Sequence, residues 1–207
     1  VKKHRLDQLD FVATHMAALA KNDELVPVRL GDPCFDRVKS TILASNAQCR
    51  DAAANWLAKI LPEIKQLDAP ELAGEAQQMA DQLATQICQH RISQNWGSKV
   101  KIDQVFAMVS GGETVVSMNS TKSGLGGRSQ ELALAFAQQM QIAGDAGPAH
   151  WAILAGGTDG RDGPTDAAGG LLTSQHSFDL AAAATALQSH ESYQFLAAHD
   201  GLFKTGA

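Results

Sequence analysis

The chain has 207 residues, 44% of them hydrophobic and 19% charged, a composition that sets aside disorder. No apolar run approaches the roughly 20 residues of a membrane span, and residues 1–10 (VKKHRLDQLD) lack the apolar stretch of a signal peptide. The net charge of −5 falls wholly in residues 111–207, with 4 basic against 9 acidic residues; this acidic half argues against a nucleic-acid partner and suits a metal or Mg-nucleotide one.

Residues 6–20 read as a helix, with Leu6, Leu9, Val12, Ala13 and Met16 at spacings of three and four. Residues 22–38, with two Pro and one Gly, read as an extended connector. Residues 40–46 (STILASN) predict a short strand and a helix start with Asn46 as N-cap; 47–61 is Ala-rich with Ala54, Leu57 and Leu61 on one stripe, a helix. Residues 62–69 read as a second connector. Asp68 and Glu71 resemble a capping box with Pro70 in the first turn. The helix predicted to follow carries Leu72, Ala76, Met79, Leu83 and Ile87 on one face, with Gly74 inside it for close packing.

Residues 104–109 and 113–118 are β-branched and apolar, separated by Ser110-Gly111-Gly112, and predict two strands joined by a tight glycine turn. A helix over 129–142 has Leu132, Phe136 and Met140 at spacing four. Residues 150–155 predict a buried strand, Leu171-Leu172 another, 177–188 a helix capped by Ser177, and 191–198 a last short helix. Strands alternating with helices predict a layered α/β fold with a mixed sheet. The expected division is a helix and connector over 1–39 and an α/β domain over 40–207. Cys34, Cys49 and Cys88 stand far apart with no CxxC, which predicts three reduced thiols of a cytoplasmic protein; the seven His show no metal-ligand spacing.

Several segments can carry chemistry. Gly124 to Glu131 (GLGGRSQE) is a glycine loop feeding a helix. Its backbone N–H groups, the helix start and the Arg128 guanidinium suit an anion; the bland alternative is a glycine-rich turn with a surface Arg. It is neither a P-loop nor a Rossmann fingerprint, since Ser129 stands where the third Gly would be. Ala155 to Gly170 packs six glycines and three Asp directly after a strand, where α/β folds gather ligands. Gly157, Thr158, Asp159, Asp162 and Asp166 suit Mg²⁺ or a hydroxylated substrate; equally, each Asp could cap a turn. Gly111 and Gly112 let a ligand approach the backbone, and Glu113 beside them is an acid/base or hydroxyl acceptor, or a strand-edge carboxylate. Asn46 touches a ligand or caps its helix. No GxSxG elbow is present.

In order, ILASN, LxGEA, SGGET, GxGGRSQELAL and AGGTDGRDGPTDAAGG make residues 30–207 resemble the C-terminal half of the class II glycerate 2-kinases, with their MOFRL domain, often labelled hydroxypyruvate reductases. That resemblance implies a missing N-terminal Rossmann-like domain, and an active site between the two halves of which this chain supplies one wall. The chain, starting at Val1 and stopping at Lys204-Thr205-Gly206-Ala207, reads as a piece of such a protein. The implied reaction is ATP- and Mg²⁺-dependent phosphorylation of glycerate at O2. Arg128 would hold carboxylate or phosphate, and Gly126 and Gly127 would line the anion loop with Ser129, a departure from the family's usual Asn. Asp159, Asp162 and Asp166 would bind metal or orient hydroxyls, with Asp159 and Asp162 the metal ligands, and Arg128, Asp159 and the nearby Glu113 would be the catalytic groups. Gly111, Gly112, Gly157, Thr158 and Asn46 would contact substrate or phosphate. A homodimer is compatible with the resemblance, and neither a membrane nor a nucleic acid is an expected partner. Two alternatives stay open: an NAD(P)H-dependent hydroxypyruvate reductase, whose dinucleotide fingerprint this chain lacks, and a non-catalytic α/β binding module.

Overall fold

The computed structural model describes residues 45–93, 105–118 and 124–206, and Pro33, Asp36, Lys39 and Thr41 singly. The helix and connector expected over 1–39, and most of the strand expected at 40–46, lie outside the described residues. Ala44–Ala207 forms one compact unit.

Its centre is a helix whose first half is buried on every side. Gln130 to Ala137 and Met140 are all buried within one helix, Arg128–Ala143 (α3). A helical stretch buried on all its faces must be covered all round. The helix Ala76–Ser93 (α2) covers one side with Ala76, Met79, Ala80, Leu83 and Ala84. The short alanines on both helices let the backbones approach closely. On the other side lies an antiparallel sheet of Ala152–Gly156 (β5), Gly169–Thr173 (β6) and Leu202–Phe203 (β7), in the order β5-β6-β7. Leu172 of β6 is wholly buried against α3, and Phe136 meets Trp151 edge to face with centroids 5.7 Å apart. Leu180–Gln188 (α4) and Ser192–Ala198 (α5) complete the core through Ala183, Ala186, Leu187 and Leu196. A fifth helix, Asn46–Ile60 (α1), buries none of its residues, and Trp56 is 66% exposed. Among the described residues no helix is long and apolar enough to cross a membrane.

The mixed α/β architecture agrees with the reading above; several local expectations do not. Residues 72–75 form a strand (β2, Leu72–Glu75), not the first turn of α2. Gly74 within it has φ +79, a conformation that glycine takes without cost. The capping box at Asp68 and Glu71 caps no helix, because Leu72–Glu75 pair with Gly112–Val115 (β4) in parallel. The connector at 62–69 likewise contains a strand, Lys65–Leu67 (β1), parallel to Phe106–Met108 (β3).

β3 and β4 therefore do not form a hairpin. Each pairs in parallel with an earlier strand, and α2 supplies the crossover that parallel pairing requires. The glycines between them make close approaches instead of a two-strand turn. A Cβ on Gly112 would overlap the Leu72 carbonyl, and one on Gly111 would overlap the Asn46 side chain. The cap of α1 is Ser45, not Asn46. Its Oγ accepts the Gln48 N–H at 3.2 Å and its N–H donates to Gln48 Oε1 at 2.7 Å. The cap of α4 is Asp179, not Ser177, accepting the Ala182 N–H at 2.7 Å.

Candidate functional site

The glycine loop and the Asp-rich loop meet at the start of α3. β5 ends at Gly156, and the next residues fold back on themselves. Gly157 N–H donates to Ala168 O, and Asp162 N–H to Ala167 O, both at 2.8 Å. Thr165 Oγ1 donates to Asp162 O at 2.7 Å. This brings the Asp162 carboxylate to the first turn of α3, where Oδ1 accepts the Ser129 N–H at 3.0 Å and Oδ2 the Gln130 N–H at 2.7 Å. The side chain of Gln130 completes the joint with a 2.8 Å bond to Thr165 Oγ1.

Asp162 is thus the anion at this helix start. It is 3% exposed, and burial pushes its carboxyl above the ordinary aspartate range while the two backbone donors pull it partly back. Two N–H groups expected to cradle a ligand are filled by the protein's own carboxylate. Gly127 makes room for it: a Cβ there would fall on Asp162. Gly126 is packed on Ser192 and His190, so neither glycine lines the recess beside the helix.

What remains open is a recess of about 380 Å³, walled by Arg128, Ser129, Gly157, Asp159, Arg161 and Asp162 with Gly163. Asp159 is exposed. Its Oδ1 accepts the Arg161 N–H at 3.2 Å, and its Oδ2 has no partner among the described residues. Arg161 was not foreseen as a site residue, since three Asp dominate its surroundings in sequence. Its guanidinium has no partner among the described residues. Arg128 is ion-paired with Glu113, both substantially exposed. Such a pair contributes at most about 1 kcal/mol to stability and exchanges readily for a ligand anion.

The recess adjoins a cavity of about 1500 Å³. Asn46, Gly111, Gly112 and Glu113 line it from one side, and Gly157, Thr158 and Asp159 from the other, with Arg128 and Ser129 between them. Ser110, in the same wall, has a buried Oγ with no hydrogen-bond partner among the described residues. Asp166 lines neither space. It accepts from Tyr193 Oη at 2.7 Å and Lys204 Nζ at 2.8 Å, tying the Asp-rich loop to the segment after β7. Those bonds, the Lys204 one foremost, hold its carboxyl below the ordinary range.

Among the described residues no three His, Cys, Asp or Glu side chains group as a metal site. The pairing of Asp159 with Asp162 as metal ligands therefore has one free carboxylate, that of Asp159, since both oxygens of Asp162 are held by backbone donors.

Residues 106–207 match the MOFRL family. The D-glycerate 2-kinase of Thermotoga maritima is 39% identical over 104 residues, 49% of this chain and 22% of that protein. The glycerate 2-kinase of Picrophilus torridus is 32% identical over 188 residues, 89% of this chain and 40% of that protein. The crystal structure of glycerate kinase from Thermotoga maritima superposes with a TM-score of 0.60 at 30% identity, over 78% of this chain and 37% of that one. The chain thus spans well under half the length of each.

Proposed function

We propose, from the match of residues 106–207 to the MOFRL family, that the chain is the C-terminal part of a glycerate 2-kinase. It supplies one wall of an active site whose other wall is an N-terminal Rossmann-like domain. The complete protein transfers the γ-phosphate of ATP to O2 of glycerate, giving 2-phosphoglycerate. The observation that carries this reading is the recess itself: two guanidinium groups, Arg128 and Arg161, the hydroxyl side chain of Ser129 and the free carboxylate oxygen of Asp159 surround one open volume.

That donor set fits the reactants. A guanidinium fork matches a carboxylate or phosphate in a bidentate way. Mg²⁺ is commonly held by one or two carboxylates together with substrate phosphate oxygens and water, which a single free Asp159 satisfies. Bound there, the metal would neutralise charge on the transferring phosphate. Arg128 orients the anionic group of glycerate or of the phosphate, released from Glu113 as it does so. Glu113 is then free to accept a hydroxyl proton at its carboxylate. Asp162 keeps the start of α3 in place.

The test is ADP release by the complete protein with Mg-ATP and D-glycerate, run beside NADH oxidation with hydroxypyruvate. ADP formation that depends on glycerate is the expected result. NADH oxidation without ADP formation would overturn the kinase reading in favour of a reductase. Neither reaction, with glycerate or phosphate still bound, would leave a binding module.

A further inference from the structure

One buried carboxylate has no part in the recess. Glu131, in the first turn of α3, is almost wholly buried and has no guanidinium or ammonium partner among the described residues. Its Oε1 accepts from Gln77 Nε2 of α2 at 2.7 Å, and its Oε2 lies 3.0 Å from His190 Nδ1 in the α4–α5 connector. A carboxylate whose partners are an amide and an imidazole is costly to bury, so those partners are tightly constrained. His190 is also one of two non-glycine residues with positive φ among the described residues, at 55°.

The connector that His190 anchors is the seat of the glycine loop. Gly124 N–H donates to Ser189 O at 2.9 Å, and Tyr193 N–H donates to Leu125 O at 3.0 Å. A Cβ on Gly126 would fall on Ser192. The loop leading into Arg128 is therefore braced on one side by Asp162 and on the other by residues 189–193. Glu131 joins that second brace to the same helix turn that carries Arg128.

We propose that Glu131 and His190 are positioning residues for Arg128: they lock the α4–α5 connector against α3 and so fix the loop that aims the guanidinium. The catalytic half of this inference rests on the kinase reading; the structural half does not.

The experiment compares His190→Ala with His190→Asn in the complete protein. Asn places a donor nitrogen at the same side-chain position as Nδ1 and tolerates positive φ. In His190→Ala, amide exchange at Gly124 and Tyr193 should quicken about tenfold or more while the α3 core at Leu134 to Ala137 stays protected; kcat/KM with glycerate should fall about tenfold or more. His190→Asn should restore both to near the parent values. In an Arg128→Ala background, His190→Ala should cost nothing further, because it acts through Arg128. Unchanged exchange at Gly124 and Tyr193 would overturn the brace. Quickened exchange with an equal loss of kcat/KM in the Arg128→Ala background would overturn the positioning role. If the complete protein does not phosphorylate glycerate, the kinase reading falls, and the exchange result still decides whether the brace exists.

Discussion

Asp162 Oδ2 accepts the backbone N–H of Gln130 at 2.7 Å, across 32 positions of sequence. With the matching bond from Ser129, the Asp-rich loop caps the helix that presents Arg128. The two conspicuous motifs of the sequence are therefore one structural unit.

Removing that cap should be expensive. Asp162→Ala leaves two N–H groups unpaired at a buried helix start, with an expected loss of about 2 kcal/mol in denaturant unfolding. The pH dependence has a defined sign. Burial raises the Asp162 carboxyl above the ordinary aspartate value of 3.8, so the folded chain keeps its proton to higher pH than the unfolded chain. The proton-linked share of its contribution is fullest below the ordinary value and is lost as pH rises through the raised one, while the hydrogen bonds to Ser129 and Gln130 remain. The deficit of Asp162→Asn, followed by thermal melts over that interval, should narrow as pH rises; a widening deficit would contradict the assignment.

Gly127→Ala tests the same joint from the opposite side. Gly127 has φ −145 and ψ 167, open to any residue, so backbone strain plays no part. The cost comes from the new methyl group displacing Asp162, with an expected destabilisation of about 1–3 kcal/mol. Combined with Asp162→Ala, which removes the carboxylate but leaves the residue 162 backbone carbonyl carbon 2.6 Å from the new methyl group, Gly127→Ala should cost less than it does alone while keeping part of its penalty. Simple additivity in the double variant would refute the contact.

How much of this was legible depended on how local the cause was. The apolar spacing of Leu132, Phe136 and Met140 marks α3 because a buried helix writes its own period into the sequence. The strand character of Phe106–Met108 and Gly112–Val115 was legible for the same reason, through β-branched and apolar residues. Their partners were not, since parallel pairing with Lys65–Leu67 and Leu72–Glu75 is a non-local choice. Leu72–Glu75 also shows tertiary pairing overriding a helical pattern. In the site, the glycine and Asp runs stood out, yet the split among the three Asp did not. Asp159 faces the recess, Asp162 caps α3 and Asp166 binds Tyr193 and Lys204, and each outcome is set by residues distant in sequence.

Arg128→Lys separates charge from geometry in the recess. Lysine keeps the cation but loses the fork, and about 2 kcal/mol of charge-assisted hydrogen bonding to the ligand anion should go with it. In the complete protein that is a fall of roughly 30-fold in kcat/KM with glycerate, at 1.4 kcal/mol per factor of ten. Stability should change by less than about 0.5 kcal/mol, because the pair with Glu113 is exposed. A large drop in melting temperature with unchanged kcat/KM would make Arg128 a structural residue instead.

The Asp166–Lys204 pair should show as an acid-side stability effect. The Lys204 and Tyr193 hydrogen bonds hold the Asp166 carboxyl below its ordinary value. A depressed folded value means that the contribution is present above the ordinary carboxylate value and lost as pH falls through the depressed one. Lys204 shifts the other way, upward through the same contact, so its share is lost only as pH rises through that raised value. Between those limits Asp166→Asn should melt below the parent chain, and the difference should vanish in acid. The pair is exposed, so added salt should shrink the difference as well. A deficit that persists through acid and high salt would mean that the Tyr193 hydroxyl, an uncharged donor, supplies the stabilisation and that Lys204 is a bystander.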